Sequence, residues 1–245
     1  MASDRSGGIT MRASRRAVLY GIGGGVEYSY TGTYDPYGDA SQGYLVLKTS
    51  GTLTIKGTVD LCLVGGGGKG YGNNDNDAGG GGGAGGYVTN YTAQKLSGSY
   101  SVTIGEGAST QGVAGGQTSI GTTFTADGGT SATGSAGAVG RGAGGKGGTS
   151  TAAVAGEAGV YPWGDSTNFA SHQISGCGGG GSRYDAGFGP KAGSAGGGGS
   201  GGDRGEGVAG GTNKGGGGGG AGAVYNKRYA GGNGGSGVVF VRWGY

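Results

Sequence analysis

The sequence predicts a mainly β protein: an antiparallel, jelly-roll-like β-sandwich with a glycine-rich polyglycine II helix bundle inserted between its strands. Three observations predict it. Apolar and polar residues alternate in short runs through the first half of the chain, the period of half-buried strands. The chain closes on one more such run, "SGVVFVRWGY" at 236–245, which needs early strands waiting for it in space. Between them lie five glycine runs of similar length, at 65–68, 79–86, 178–181, 196–202 and 215–222.

The first element is a basic arm at 1–25. Arg5, Arg12, Arg15 and Arg16 face only Asp4 there, which accounts for the whole formal charge of +3 and leaves thirteen basic against thirteen acidic residues in the rest. A balanced body gives no electrostatic footprint for nucleic acid. "SRRAVLYG" has a twin-arginine look, but the apolar run after it is too short for a signal core and is broken by glycine. A retained arm that docks on a partner is expected, with Arg12, Arg15 and Arg16 as its anchoring residues. No stretch approaches the length of a membrane span.

The glycine-rich domain then fills 26–245, with strands at about 26–129 and 236–245 and the bundle mainly at 65–86 and 130–235. "GYLVLKTSGTLTIKGTVDLCLVGGGG" alternates through Leu45, Leu47, Leu53, Ile55, Val59, Leu61 and Leu63, with turns expected at Ser50-Gly51 and Lys56-Gly57. "GGYVTNYT" at 85–92 and "SYSVTIGEG" at 99–107 read as two further strands, and "QTSIGTTFTADGG" at 117–129 as a pair. After that, strand signals vanish for about a hundred residues, and only 152–158 hints at a helix.

Glycine is 75 of 245 residues and proline 3, which excludes collagen. Slack linker is the other use of such a composition, yet 15 tyrosines and a low net charge are not those of a disordered chain. A glycine in regular structure costs about 0.5–1 kcal/mol relative to alanine. A run without side chains has only main-chain hydrogen bonds to offset that. The extended helix with three residues per turn points its amides outward. Several such threads, all glycine or nearly so, can approach until each amide meets a neighbour's carbonyl. The interruptions within the five runs are Ala and Ser, the smallest alternatives.

Apparent motifs for other chemistry are weak. G-x-G-x-x-G is expected by chance at this glycine content, and "GRGAGGKG" at 140–147 has glycine where a phosphate loop needs Ser or Thr. "NNDND" at 73–77 lacks the glutamate of a calcium loop and reads as a solvated turn. His172 is the only histidine and has no catalytic companions in sequence. Cys62 and Cys177 form either one long-range disulfide or two buried thiols. No enzyme, cofactor, metal, nucleic-acid or membrane role is expected.

The decorated loops between glycine runs are the candidate recognition surface. "GVYPWGDSTNFASHQ" at 159–173 offers Tyr161, Trp163 and Asp165; "SRYDAGFG" at 182–189 offers Tyr184 and Phe188; "AVYNKRYAG" at 223–231 offers Tyr225, Arg228 and Tyr229. Aromatics beside polar groups on loops held by a scaffold suit the recognition of a glycan or protein. The same residues can instead cap the bundle or dock it on the strands.

In the order "LKTSGTLTIKGTVDLCLVGGGG", "GGGGAGGYV", "YSVTIGEGA", "GGQTSIGTTFTADGG" and "GGSGVVFVRW", the chain resembles the glycine-rich tail proteins of tailed bacteriophages. The resemblance covers nearly everything after residue 43, and it is the order of the pieces that is specific. It implies a virion protein of the tail or fibre tip, anchored to other virion proteins through the arm, with the bundle presenting loops to a host surface as in phage tail-fibre adhesins. A similar plan in an animal receptor kinase ectodomain means that fold alone does not fix function. Two other readings stand beside the adhesin: an architectural virion protein without receptor contact, and an ice-binding or matrix protein. Association of several copies is left open.

Overall fold

The computed structural model describes residues 25–39, 41–72, 79–138, 140, 142, 144, 153–183 and 189–245. The arm with Arg12, Arg15 and Arg16, the turn at 73–77, most of 140–147, and Tyr184 and Phe188 lie outside the described residues.

Among the described residues, eight strands form one antiparallel sheet: β1 (Glu27–Tyr30), β2 (Tyr34–Gly38), β3 (Gly43–Leu47), β4 (Gly51–Val64), β5 (Val88–Thr103), β6 (Thr118–Ile120), β7 (Phe124–Ala126) and β8 (Val238–Trp243). The order is β2-β3-β8-β4-β5-β6-β7, with β1 beside the first half of β4. The mainly β, antiparallel class is as the alternation predicts. The terminal strand enters the middle of the sheet, between β3 and β4, pairing Val239 with both Leu47 and Leu63.

The strands share one hydrogen-bonded sheet, not two separate ones, but that sheet folds back on itself. A straight β4 would span about 45 Å at ~3.4 Å per residue. Yet Thr118 Oγ1 donates to Val64 O at the end of β4 (2.7 Å) and accepts from the amide of Gly105 (2.9 Å). Gly105 follows β5, whose Val102 pairs with Gly51 at the start of β4. One fully buried hydroxyl therefore ties the two ends of the β4–β5 ribbon together. The bend falls where Gly57 and Gly98 take positive φ (148° and 138°) and the register shifts between Val59 and Leu61, the devices by which strands turn corners.

Three sequence expectations differ from the structure. Lys56-Gly57 is no turn: it lies inside continuous β4, and glycine is needed because a Cβ at residue 57 would meet Val26 at 2.8 Å. Likewise 85–92 and 99–107 are not separate strands, because 88–103 runs unbroken as β5 along β4. The helix hinted at 152–158 is absent from the described part of that segment, which carries no regular secondary structure.

The folded sheet encloses one apolar cluster, including Leu45, Leu47, Leu53, Ile55, Leu61, Leu63, Val102, Ile120 and Val241. The alternate residues of β3, β4 and β8, namely Val46, Cys62, Val64, Val238 and Phe240, point to the other face, where Phe169 and Ile174 cover them. Cys62 and Cys177 are both buried and are not joined in a disulfide. Burial pushes the Cys62 thiol up to about 12.

The glycine runs leave the sheet as a bundle. Consecutive amides of the 215–223 thread turn to three neighbours in rotation. Gly217, Gly220 and Ala223 donate to Gly176, Gly179 and Ser182 (2.9 Å each). Gly218 and Ala221 donate to Gly68 and Tyr71 (2.9 Å each), and Gly219 and Gly222 to Val208 and Gly205 (2.8 Å each). Its carbonyls accept from three further threads, through Gly80, Gly83 and Gly86, through Gly199 and Gly202, and through Gly232 and Gly235. A repeat of three, with amides directed outward, is the signature of the polyglycine II helix. The hexaglycine 215–220 is fully buried as the central thread, bonded to six others. It is framework, not slack.

Candidate functional site: the distal loops of the bundle

Thread directions decide where each loop lies. Gly215 bonds with Gly86 and Ser236, beside the ends of β5 and β8, so 215 is at the base. The thread rises at about 3.1 Å per residue, which puts Ala223 roughly 25 Å away. At that level Ala223 bonds to Ser182, Gly202 to Gly220, and Gly80 to Ala221. The 203–206 and 224–230 turns therefore lie at the end away from the sheet, as do Tyr71, Gly80 and Ser182.

The 224–230 loop is a tight turn. The Lys227 amide donates to Val224 O (3.0 Å), and Asn226 supplies the positive φ of 51° that the third position needs, a conformation Asn tolerates better than most residues. Tyr225 at the second position is 60% exposed. Arg228 is exposed and Tyr229 partly so. Beside it the 203–206 turn carries exposed Asp203, Arg204 and Glu206, held by Ser182: its hydroxyl donates to Asp203 Oδ1 (3.2 Å) and accepts from the Arg204 amide (3.3 Å). This second turn was missed in the sequence, although "GGDRGEG" is a charged cluster between two glycine runs.

The 159–173 loop goes elsewhere. It lies at the base, bridged to itself by Val160 and Ile174, and packs on the outer face of the sheet. Phe169 is fully buried there, with its ring 4.8 Å from that of Tyr44 and 6.3 Å from Phe240. Trp163 stacks 5.1 Å from Phe169 and lies under the Arg242 guanidinium at 4.2 Å. Arg242 in turn bonds Asp60 Oδ2 through Nε at 3.0 Å. Asp165 caps its own turn, accepting from the amides of Thr167 and Asn168 and from Asn168 Nδ2. The Asn168 hydrogen bonds hold its carboxyl below the usual carboxylate range. Tyr161 stays half-exposed. Trp163 thus packs the loop onto the sheet and Asp165 braces the loop's own turn, while Tyr225, Arg228 and Tyr229 stand at the tip.

His172 is a structural residue. Its ring contacts Tyr37, Tyr44, Phe169 and Phe240, and Nδ1 lies 3.0 Å from Ser171 Oγ. Among the described residues no three His, Cys, Asp or Glu side chains converge to hold a metal ion, and no helix is long and apolar enough to cross a membrane.

A family model described as a glycine-rich domain matches residues 48–244. No curated protein matches the chain.

Proposed function

The chain belongs to the glycine-rich domain family, and from what this member builds with its glycines we propose that it is a non-enzymatic structural protein of a bacteriophage virion, an adhesin at the tail or fibre tip. The arm at 1–25 joins it to other virion proteins, and the bundle carries its distal loops to a glycan or protein on the host surface.

One observation carries this reading. The 203–206 and 224–230 turns both fall at the end of a stiff bundle remote from the sheet, and they bear Arg204, Tyr225, Arg228 and Tyr229. A scaffold whose interior is backbone alone leaves side-chain diversity to its tips, as binding loops on a rigid frame require. The resemblance of the ordered strand and glycine segments to phage tail proteins supplies the virion setting.

The test is adsorption of the labelled full chain to a panel of bacterial strains, together with immunogold location in intact particles. The reading expects tail-tip labelling, and saturable binding to at least one strain that falls at least tenfold when Tyr225, Arg228 and Tyr229 are changed together to Ala. Labelling away from the tail, or binding undiminished in the folded triple variant, overturns it. Particle labelling without any cell binding points instead to an architectural protein.

A further inference from the structure

Two polar side chains stand at one level on neighbouring threads of the bundle. The thread that begins at Gly65 carries Lys69, and the last thread before β8 carries Asn233. Room is scarce along the row of the Lys69 side chain. A Cβ at Gly66, three residues before, would lie 2.0 Å from Glu106 O, and one at Gly72, three residues after, 2.7 Å from Tyr229 O. A lysine there departs from the glycine pattern, and its ammonium has one partner across the thread boundary. Lys69 Nζ donates to Asn233 Oδ1 at 2.5 Å, 164 positions away in sequence.

The backbone holds this pair in place. Gly67 and Gly70, which flank Lys69, donate to Gly235 and Gly232, which flank Asn233 (2.8 and 2.9 Å). The Lys69 amide is fixed on Ser131 Oγ (2.9 Å) and the Asn233 carbonyl on the Gly210 amide (2.8 Å). With Nζ against the amide oxygen, the amide carbon Cγ lies about 3–3.5 Å from it, the spacing of a near-attack pair. Burial holds the Lys69 ammonium below the usual lysine value, and the charge of Glu206, from the adjacent turn, acts on it in the opposite sense. Asn233 is exposed, which gives a leaving group a way out.

We propose that Lys69 and Asn233 join in a self-formed isopeptide bond that locks the bundle, with Glu206 as proton carrier. The Nζ–Cγ bond forms and the Cγ–Nδ2 bond breaks. Nζ sheds two protons, relayed by Glu206 to Nδ2, which departs as ammonium; nothing is oxidised or reduced. Attack of an amine on an amide is slow in free solution. Well-oriented pairs, however, reach effective molarities on the order of 10⁵–10⁸ M, and a positioned acid–base group adds about 10²–10⁴-fold. The ring so closed runs from 69 to 233 and contains the glycine runs 79–86, 178–181, 196–202 and 215–222. Closing so long a loop restricts the unfolded chain more than closing a short one. The bond does not depend on what the distal loops contact.

Intact-mass measurement and tryptic peptide mapping of the purified full chain test it. The wild type is expected to weigh one ammonia less than its sequence and to yield a branched peptide joining the Lys69 and Asn233 segments. Folded Lys69→Arg, which keeps the charge, and folded Asn233→Ala are expected at full sequence mass with no branched peptide. In cell-free synthesis, where the age of each chain is known, Glu206→Gln accumulates the branched peptide at least tenfold more slowly. Asn233-Gly234 also has a second route to ammonia loss, closure of a succinimide on its own backbone; that product forms in Lys69→Arg as well and contains no branch. Full sequence mass in the folded wild type, ammonia loss without the branched peptide, ammonia loss retained in Lys69→Arg, or an unchanged rate in Glu206→Gln overturns the proposal.

Discussion

A Cβ added to Gly217 would lie 2.0 Å from the carbonyl oxygen of Gly83. The thread around it repeats the same relationship: Gly216 faces Gly197 O at 1.9 Å, Gly218 faces Gly232 O at 1.9 Å, Gly219 faces Ser200 O at 1.9 Å and Gly220 faces Gly80 O at 1.9 Å. In each case the direction a side chain would take is filled by another thread's carbonyl, which also receives a weak Cα–H contact. Backbone cannot rotate aside as a side chain can.

Gly217→Ala is therefore expected to cost about 3 kcal/mol or more, at or above the upper end of overpacking penalties. Gly134 is the matched control, since a Cβ there meets nothing within 4 Å. Gly134→Ala is expected to be neutral or to stabilise by up to about 1 kcal/mol through the unfolded state. Urea denaturation of both variants checks the contrast.

Thr118 offers a second test, in the sheet. Thr118→Val keeps the shape but strands Val64 O and the Gly105 amide, both in buried surroundings. At about 1–3 kcal/mol for each unsatisfied group, the loss is expected to be about 2 kcal/mol or more, although the substitution adds no bulk. A loss below about 0.5 kcal/mol would mean that the fold-over of β4 and β5 does not depend on this hydroxyl.

The pH response of His172 has a definite sign. Burial first, then Lys214 and Lys48, hold its pKa below the ordinary value, with Asp35 opposing. The fold thus favours the neutral ring, and the unfolded chain binds the proton more readily. Stability from this group is complete above the unfolded value of about 6.5. It falls as pH drops from there to the lower folded pKa, then levels off. Melting temperatures of the wild type and His172→Gln between pH 4 and 8 should diverge in that window, with the wild type losing more. Parallel curves would contradict the aromatic enclosure.

Much of this was legible in advance, and the failures have physical causes. The period-2 run of Leu53, Ile55, Val59, Leu61 and Leu63 marked β4, and the terminal run marked β8 because both faces of that strand are buried. Gly57 read as a turn because sequence does not distinguish a glycine that ends a strand from one that lets another segment of the chain, here Val26, pass close. Trp163 stood among the recognition candidates because an aromatic loop that docks and one that binds have the same composition. Only the third dimension showed that Val46, Cys62, Val64 and Phe240 needed a cover.

The account rests on the 215–223 thread being held by its neighbours on all sides, and residue-resolved amide hydrogen exchange by NMR measures that directly. Gly217 to Gly222 should be protected to the level of the core amides of β4, because their amides are released only when the whole bundle opens. Exchange of these six amides at the rate of an unstructured chain, while β4 remains protected, would contradict the account.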